Sequence, residues 1–163
     1  VLHWSQSGVG PSPSSAASNG YIGRLEKEFP GKFQVVFLNF INPYDETGLL
    51  CAEVAVTAQA GGKFWELHDR LFALEGKIDE KALRRTVKEI GLDPAIVDRV
   101  KSDPATLMRL KRDLEAGLRA GVKREPAIFV NGRHFSGTFP YDKLRAIVLA
   151  ELNAPRPGQA KTR

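Results

Sequence analysis

Ala127-Ile128-Phe129-Val130-Asn131-Gly132-Arg133-His134-Phe135-Ser136 reads as two short strands folded back across a two-residue turn. The first four residues are continuously apolar. Asn-Gly then supplies the residue types that most readily take the positive φ values of a tight hairpin. The segment therefore predicts an antiparallel hairpin near the end of the chain. Pro140 opens a helix behind it, with Leu144, Ile147, Val148 and Leu152 at helical spacing.

The other end of the chain has a different order. Val1 to Ser5 is a short apolar run, Gly8 to Ser15 is a Gly/Pro/Ser-rich turn, and Ser12-Pro13 pairs an N-cap residue with proline at the first helical position. Tyr21, Ile22, Leu25 and Phe29 then recur at helical spacing until Pro30-Gly31 stops the helix. Phe33 to Phe40 is nearly continuously apolar, which predicts a central strand covered on both faces. A strand, a helix and a strand in this order predict parallel strands joined by a right-handed crossover.

Between the two halves lies a stretch with helical signals alone. One helix is predicted from Pro43-Tyr44-Asp45 to about Ala60, and a second over Lys63 to Leu74 with Phe64, Leu67, Leu71 and Leu74 on one stripe. Gly76 stops the second; Asp79 can cap a third carrying Leu83, Val87 and Ile90, which Gly91 ends. Asp93-Pro94 and Asp103-Pro104 each look like an N-cap followed by proline. The latter starts a long helix whose Leu107, Leu110, Leu114 and Leu118 read as packing surface. The order is β-α-β, a helical insert, then β-β-α.

Composition narrows the function classes. The chain has 163 residues, 42% hydrophobic and 26% charged, as in a soluble globular domain. It lacks the run of about 18 apolar residues that a membrane span needs. Its net charge of +5 comes from basic residues interspersed with carboxylates, which predicts solvated helix faces and no nucleic-acid partner. His3, His68 and His134 show no metal-ligand spacing, so no metal is expected. The single cysteine, Cys51, excludes an intrachain disulfide, and its apolar setting predicts a buried small hydrophobe. A start without Met, already inside a strand-like run, predicts that upstream sequence has been removed, so that a cleaved signal peptide would be invisible.

From about Val35 onward the chain resembles the DsbA-like thioredoxin-fold proteins. The resemblance is carried by Gly62 to Phe72 (GKFWELHDRLF), by Gly121 to Gly132 (GVKREPAIFVNG) and by Phe139 to Leu144 (FPYDKL). It implies an α/β thioredoxin fold over residues 1–153, with the insert at about 45–120 and a flexible tail over 154–163. In that family a Cys-x-x-Cys pair at the N-terminus of the first helix exchanges disulfides, because the helix's partial charge stabilises the attacking thiolate. Counting back from Phe29-Pro30 puts the pair on Ser12 and Ser15, within Ser12-Pro13-Ser14-Ser15; counting forward from the first strand puts it on Val9 and Ser12. Neither register contains a cysteine. The resemblance also makes Pro126 the family's cis-proline, preceded here by Glu125 where the family usually carries Thr or Val. A carboxylate beside the pair opposes thiolate formation.

Three functions follow as expectations. The first is a DsbA-like relative that is redox-inactive because serine stands where the cysteines belong, by natural loss or by cysteine-to-serine replacement. The second rests on Ser12-Pro13-Ser14-Ser15 resembling the Ser-Pro-x-Ser motif of kappa-class glutathione transferases and chromene-carboxylate isomerases, in which Ser12 would bind the thiolate of glutathione. The third is a module that holds a peptide or an anion at the helix N-terminus. The family resemblance favours a periplasmic or otherwise exported location and a protein or peptide substrate.

Overall fold

A computed structural model describes residues 2–5, 13–74, 78–123, 126–136 and 140–154, with the backbone alone over 2–5, 13–19 and at 136. In chain order the elements are β1 (Leu2–Ser5), α1 (Pro13–Glu28), β2 (Val36–Asn39), α2 (Glu46–Ala58), a 3-10 turn (Gln59–Gly61), α3 (Phe64–Ala73), α4 (Glu80–Glu89), α5 (Ile96–Val100), α6 (Pro104–Arg119), β3 (Ala127–Val130), β4 (Arg133–Ser136) and α7 (Tyr141–Asn153). The strands form one sheet in the order β2-β1-β3-β4. β1 runs parallel to β2 and antiparallel to β3, and β3 pairs antiparallel with β4. This is the thioredoxin fold with a helical insert.

Local chemistry explains the boundaries. The hairpin forms at Asn131-Gly132, whose φ angles of 48° and 82° suit these two residue types. Asp45, Asp79 and Asp103 cap α2, α4 and α6, accepting hydrogen bonds from the backbone N–H of Gly48, Ala82 and Ala105. Asp93 bonds Ala95 N–H, but Pro94 and Ala95 form a turn and the short α5 starts only at Ile96. Gly76 and the tail from Pro155 lie outside the described residues.

Hydrophobic layers form on both faces of the sheet. On one, Leu25 of α1 packs with Ile128, Val130, Leu144 and Val148, beneath a polar tie between α1 and α7. In that tie Glu28 accepts hydrogen bonds from the Tyr141 hydroxyl (2.8 Å) and Arg145 Nε (2.6 Å). On the other, Leu38 and Phe40 pack with Val122, Ala127 and Phe129. The insert has its own core, in which α2, α3, α4 and α5 bury Cys51, Val54, Leu67, Leu71, Val87 and Val97.

Two expectations need correcting. The apolar run Phe33 to Phe40 does not make a central strand: β2 is the edge of the sheet, and only Val36–Asn39 is strand. Its apolar side chains are explained by helices that flank the edge. The leucines of α6 are also not uniformly packing surface. Leu110 is fully buried and Leu114 half-buried, whereas Leu107 and Leu118 are 42% and 56% exposed. Leu107 and Leu118, about three turns apart, lie nearly in line with each other and roughly a quarter turn round the helix from its buried line of Thr106, Leu110 and Gly117.

Leu25 is fully buried and holds α1 against β3 and α7. Leu25→Ala is expected to cost about 3 kcal/mol in denaturant unfolding, the usual loss for a buried leucine whose cavity does not collapse.

Candidate functional site

β1 leads into α1, whose first residue, Pro13, needs no N–H partner there. The last pair of the β1–β3 ladder joins Trp4 to Ala127. Pro126, buried and next before Ala127, therefore adjoins the end of β1 from which the chain departs toward α1. The predicted site residues stand as follows. Pro13, Ser14 and Ser15 are the first residues of α1, placed by backbone alone. Pro126 is described. Ser12, Glu125 and the alternative position Val9 lie outside the described residues.

Beside α1 is a cleft of 430 Å³ lined by Gly20, Ile22, Gly23 and Glu26 of α1 and by Trp65 and Asp69 of α3. A Cβ at Gly20 or Gly23 would meet no atom within 4 Å, so these two glycines leave the cleft open. Trp65 is 44% exposed on its wall, and Glu26 and Asp69 make its charge negative in a chain of net charge +5. The sequence reading missed this cleft, since Gly20 and Gly23 carry no signal beyond weakening a helix.

His68 lies behind Trp65, buried among Phe37, Phe64, Trp65 and Phe72 at ring separations of 4.6–5.8 Å. Its Nδ1 sits 3.0 Å from Asp69 Oδ1, and Nε2 is buried with no hydrogen-bond partner among the described residues. With Nδ1–H donating to the carboxylate, Nε2 is left as an unmet acceptor in an aromatic box. His134 is exposed and stacks on Phe129 with ring centroids 4.5 Å apart. Among the described residues no group of histidine, cysteine and carboxylates could hold a metal ion, and no helix is long and apolar enough to cross a membrane.

Cys51 is fully buried in α2, far along the chain from the serines of α1. Burial, assisted by the charge of Asp45, pushes its thiol up to about 12. Glu53, two residues on, is nearly buried; desolvation raises its carboxyl above the usual range, and the charge of Asp103 adds to this.

The DSBA-like thioredoxin domain model matches residues 31–148, most of the chain and all of the insert, the hairpin and Pro126. The chain belongs to the DSBA-like thioredoxin domain family. It does so without a Cys-x-x-Cys pair, since Cys51 is its sole cysteine. The match begins at Gly31, so Ser12 to Ser15 lie upstream of it. Similar solved structures include a thioredoxin-like oxidoreductase from Silicibacter pomeroyi DSS-3, with TM-score 0.79 and 19% identity over 94% of this chain and 86% of that one. BdbD from Bacillus subtilis superposes with TM-score 0.76 and 18% identity over 94% and 88%. A periplasmic thioredoxin-like protein from Salmonella enterica serovar Typhimurium does so with TM-score 0.77 and 18% identity over 94% and 83%. At these identities the likeness is one of fold. In sequence, the chain is 30% identical over 122 residues to the Na(+)/H(+) antiporter NhaA 3 of Salinispora tropica, and 28% identical over 117 residues to the NhaA of Herminiimonas arsenicoxydans. These alignments cover 73% and 70% of this chain but 18% of each antiporter, so the chain spans about a fifth of the length of the curated relatives it matches.

The buried, desolvated Cys51 is expected to react with a water-soluble disulfide reagent only after denaturation; stoichiometric release of thiol colour before unfolding would contradict its placement. Glu53→Gln is expected to raise the melting midpoint at pH 7 by a few degrees. The raised native pKa means that ionised Glu53 opposes folding at neutral pH. The difference from the parent chain should vanish as pH falls below the ordinary glutamate range, where the side chain is neutral in both states.

Proposed function

We propose that this chain is a redox-inactive DsbA-like domain, residues 1–153, that binds a protein or peptide segment without exchanging disulfides. The supporting observation is the thiol inventory. Exchange needs an exposed thiolate and a second sulfur, and the chain carries one buried thiol whose pKa is pushed up to about 12. Ser12-Pro13-Ser14-Ser15 keeps the proline of a Cys-Pro-x-Cys sequence without its sulfurs. What the scaffold retains is a helix N-terminus, Pro126 beside the end of β1, and the acidic cleft along α1 with the exposed face of Trp65. These suit an extended segment with basic side chains, which carboxylates and an indole face attract.

The sequence likeness to sodium–proton antiporters supports a second reading: the domain serves as an accessory module of such a transporter. A periplasmic or otherwise exported location fits the family resemblance and the periplasmic Salmonella neighbour. Glutathione binding through Ser12 is the competing function of the same site, and it predicts tripeptide binding without any protein partner.

Insulin reduction separates these readings. The parent chain is expected to leave the dithiothreitol background unchanged, while a Ser12→Cys, Ser15→Cys variant gains a thiol titrating below the ordinary cysteine range and accelerates the reaction. A Val9→Cys, Ser12→Cys variant, which tests the other register, is expected to stay inactive. Catalysis by the parent chain that Cys51→Ala abolishes overturns the redox-inactive reading. Heat of binding with glutathione at millimolar concentration, lost in Ser12→Ala, transfers the site to the glutathione reading.

A further inference from the structure

α6 is buried along one line, through Thr106, Leu110 and Gly117, and Leu110 packs there with Ile41, Ala52 and Val56. A quarter turn round the helix runs a second apolar line of Leu107, Leu114 and Leu118. At about 3.6 residues per turn these three fall within an arc of about 40°. Leu114 is half-buried at the middle, whereas Leu107 and Leu118 stand exposed at the ends, and Met108, more than half exposed, lies beside them. Among the described residues seven large apolar side chains are exposed, and three of them are on this helix, so the exposure is concentrated here. The line lies about a third of a turn from Asp113, which bonds Asn39, so it faces away from the edge of β2.

Spacing decides what kind of partner fits. With Lys111, whose aliphatic stem can lie along the same line, positions 107, 111, 114 and 118 follow at intervals of four, three and four residues. That is the repeat by which one helix packs along another. An apolar arc of about 100° or more would suit a broader surface; this narrow one suits a helix.

Charge decides the partner's sign. Three cations, Lys111, Arg112 and Arg119, border the line against one carboxylate, Glu115. That carboxylate is shared between Lys111 at 3.9 Å and Arg119 at 3.7 Å. Among the described residues Arg112 meets no carboxylate and donates to the Met108 sulfur at 3.8 Å. A second copy would bring the same positive excess to the line.

We propose that this face of α6 docks an amphipathic helix of a partner protein, with leucines at the same spacing and carboxylates on its flanks. Leu107 and Leu118 pack between the partner's leucines, and Arg112, with Lys111 and Arg119, pairs with its carboxylates. The surface is separate from the cleft along α1, so the proposal stands whether or not that cleft binds anything.

The probe is a fluorescein-labelled peptide, Ser-Ala-Leu-Glu-Glu-Ala-Leu-Ala-Glu-Leu-Glu-Glu-Gln-Leu-Ala-Tyr, followed by anisotropy against the intact chain. The methyl resonance of Met108, the sole methionine, reports where it binds. Saturable binding that moves this resonance is expected. It should be lost for a peptide of the same composition whose leucines are off the spacing, and weakened several-fold in Leu107→Ser or Leu118→Gln. Both substitutions are exposed, and the circular dichroism of the chain should not change. Arg112→Glu is expected to shift the preference toward a peptide with Lys in place of Glu. Equal binding of the scrambled peptide, an unmoved Met108 resonance or an unchanged charge preference in Arg112→Glu overturns the proposal. So does the absence of binding at millimolar peptide. A concentration-dependent dimer lost in Leu118→Gln would assign the face to a second copy and overturn it. Pelleting with vesicles of equal phosphatidylcholine and phosphatidylglycerol, lost in the same variant, would assign it to a lipid surface and overturn it as well.

Discussion

Phe37 reaches from β2 into the rings of Phe64, Trp65 and His68, and Asn39, two residues on, is bound through its backbone and side-chain N–H by Asp113 of α6. These contacts hold the insert to a sheet of four-residue strands. Sheet and insert otherwise have separate cores, so their relative position depends on this seam. The cleft beside α1 exists because α3 is held there.

The seam also accounts for the unusual state of His68. An imidazole with one nitrogen unmet is costly to bury, and it is tolerated here because the ring fills an aromatic box that fastens α3 to β2. His68 is thus a packing residue and His134 an exposed one, while His3 is placed by backbone alone. The signal for His68 was the stripe Phe64, Leu67, Leu71: residue 68 falls beside that stripe on the helix, on the same inward face.

Family and chemistry separate cleanly in this chain. The residues matching the family model build the scaffold, and the family's reaction depends on two sulfurs that this chain lacks. A thioredoxin fold can lose its cysteines at little structural cost, because they sit at a helix N-terminus and serine caps a helix well. The one remaining thiol lies in the insert core, where burial suppresses the ionisation that reactivity needs. Beside α1 the scaffold keeps an acidic cleft.

The sequence by itself determined the elements whose causes are local. Asn131-Gly132 specified the hairpin, the Asp caps and Pro104 specified helix starts, and helical apolar spacing specified Leu25, Leu67, Leu83 and Leu144 as core. It also determined that the Cys-x-x-Cys pair is missing, since a cysteine count needs no coordinates. Only the tertiary structure decided which strand lies at the edge. A strand between two helical layers and an edge strand covered by an insert bury the same side chains, so Phe33 to Phe40 reads alike in both. The cleft belongs to the same class: it is a space between elements distant in the chain, formed by where α3 comes to rest against the glycines of α1.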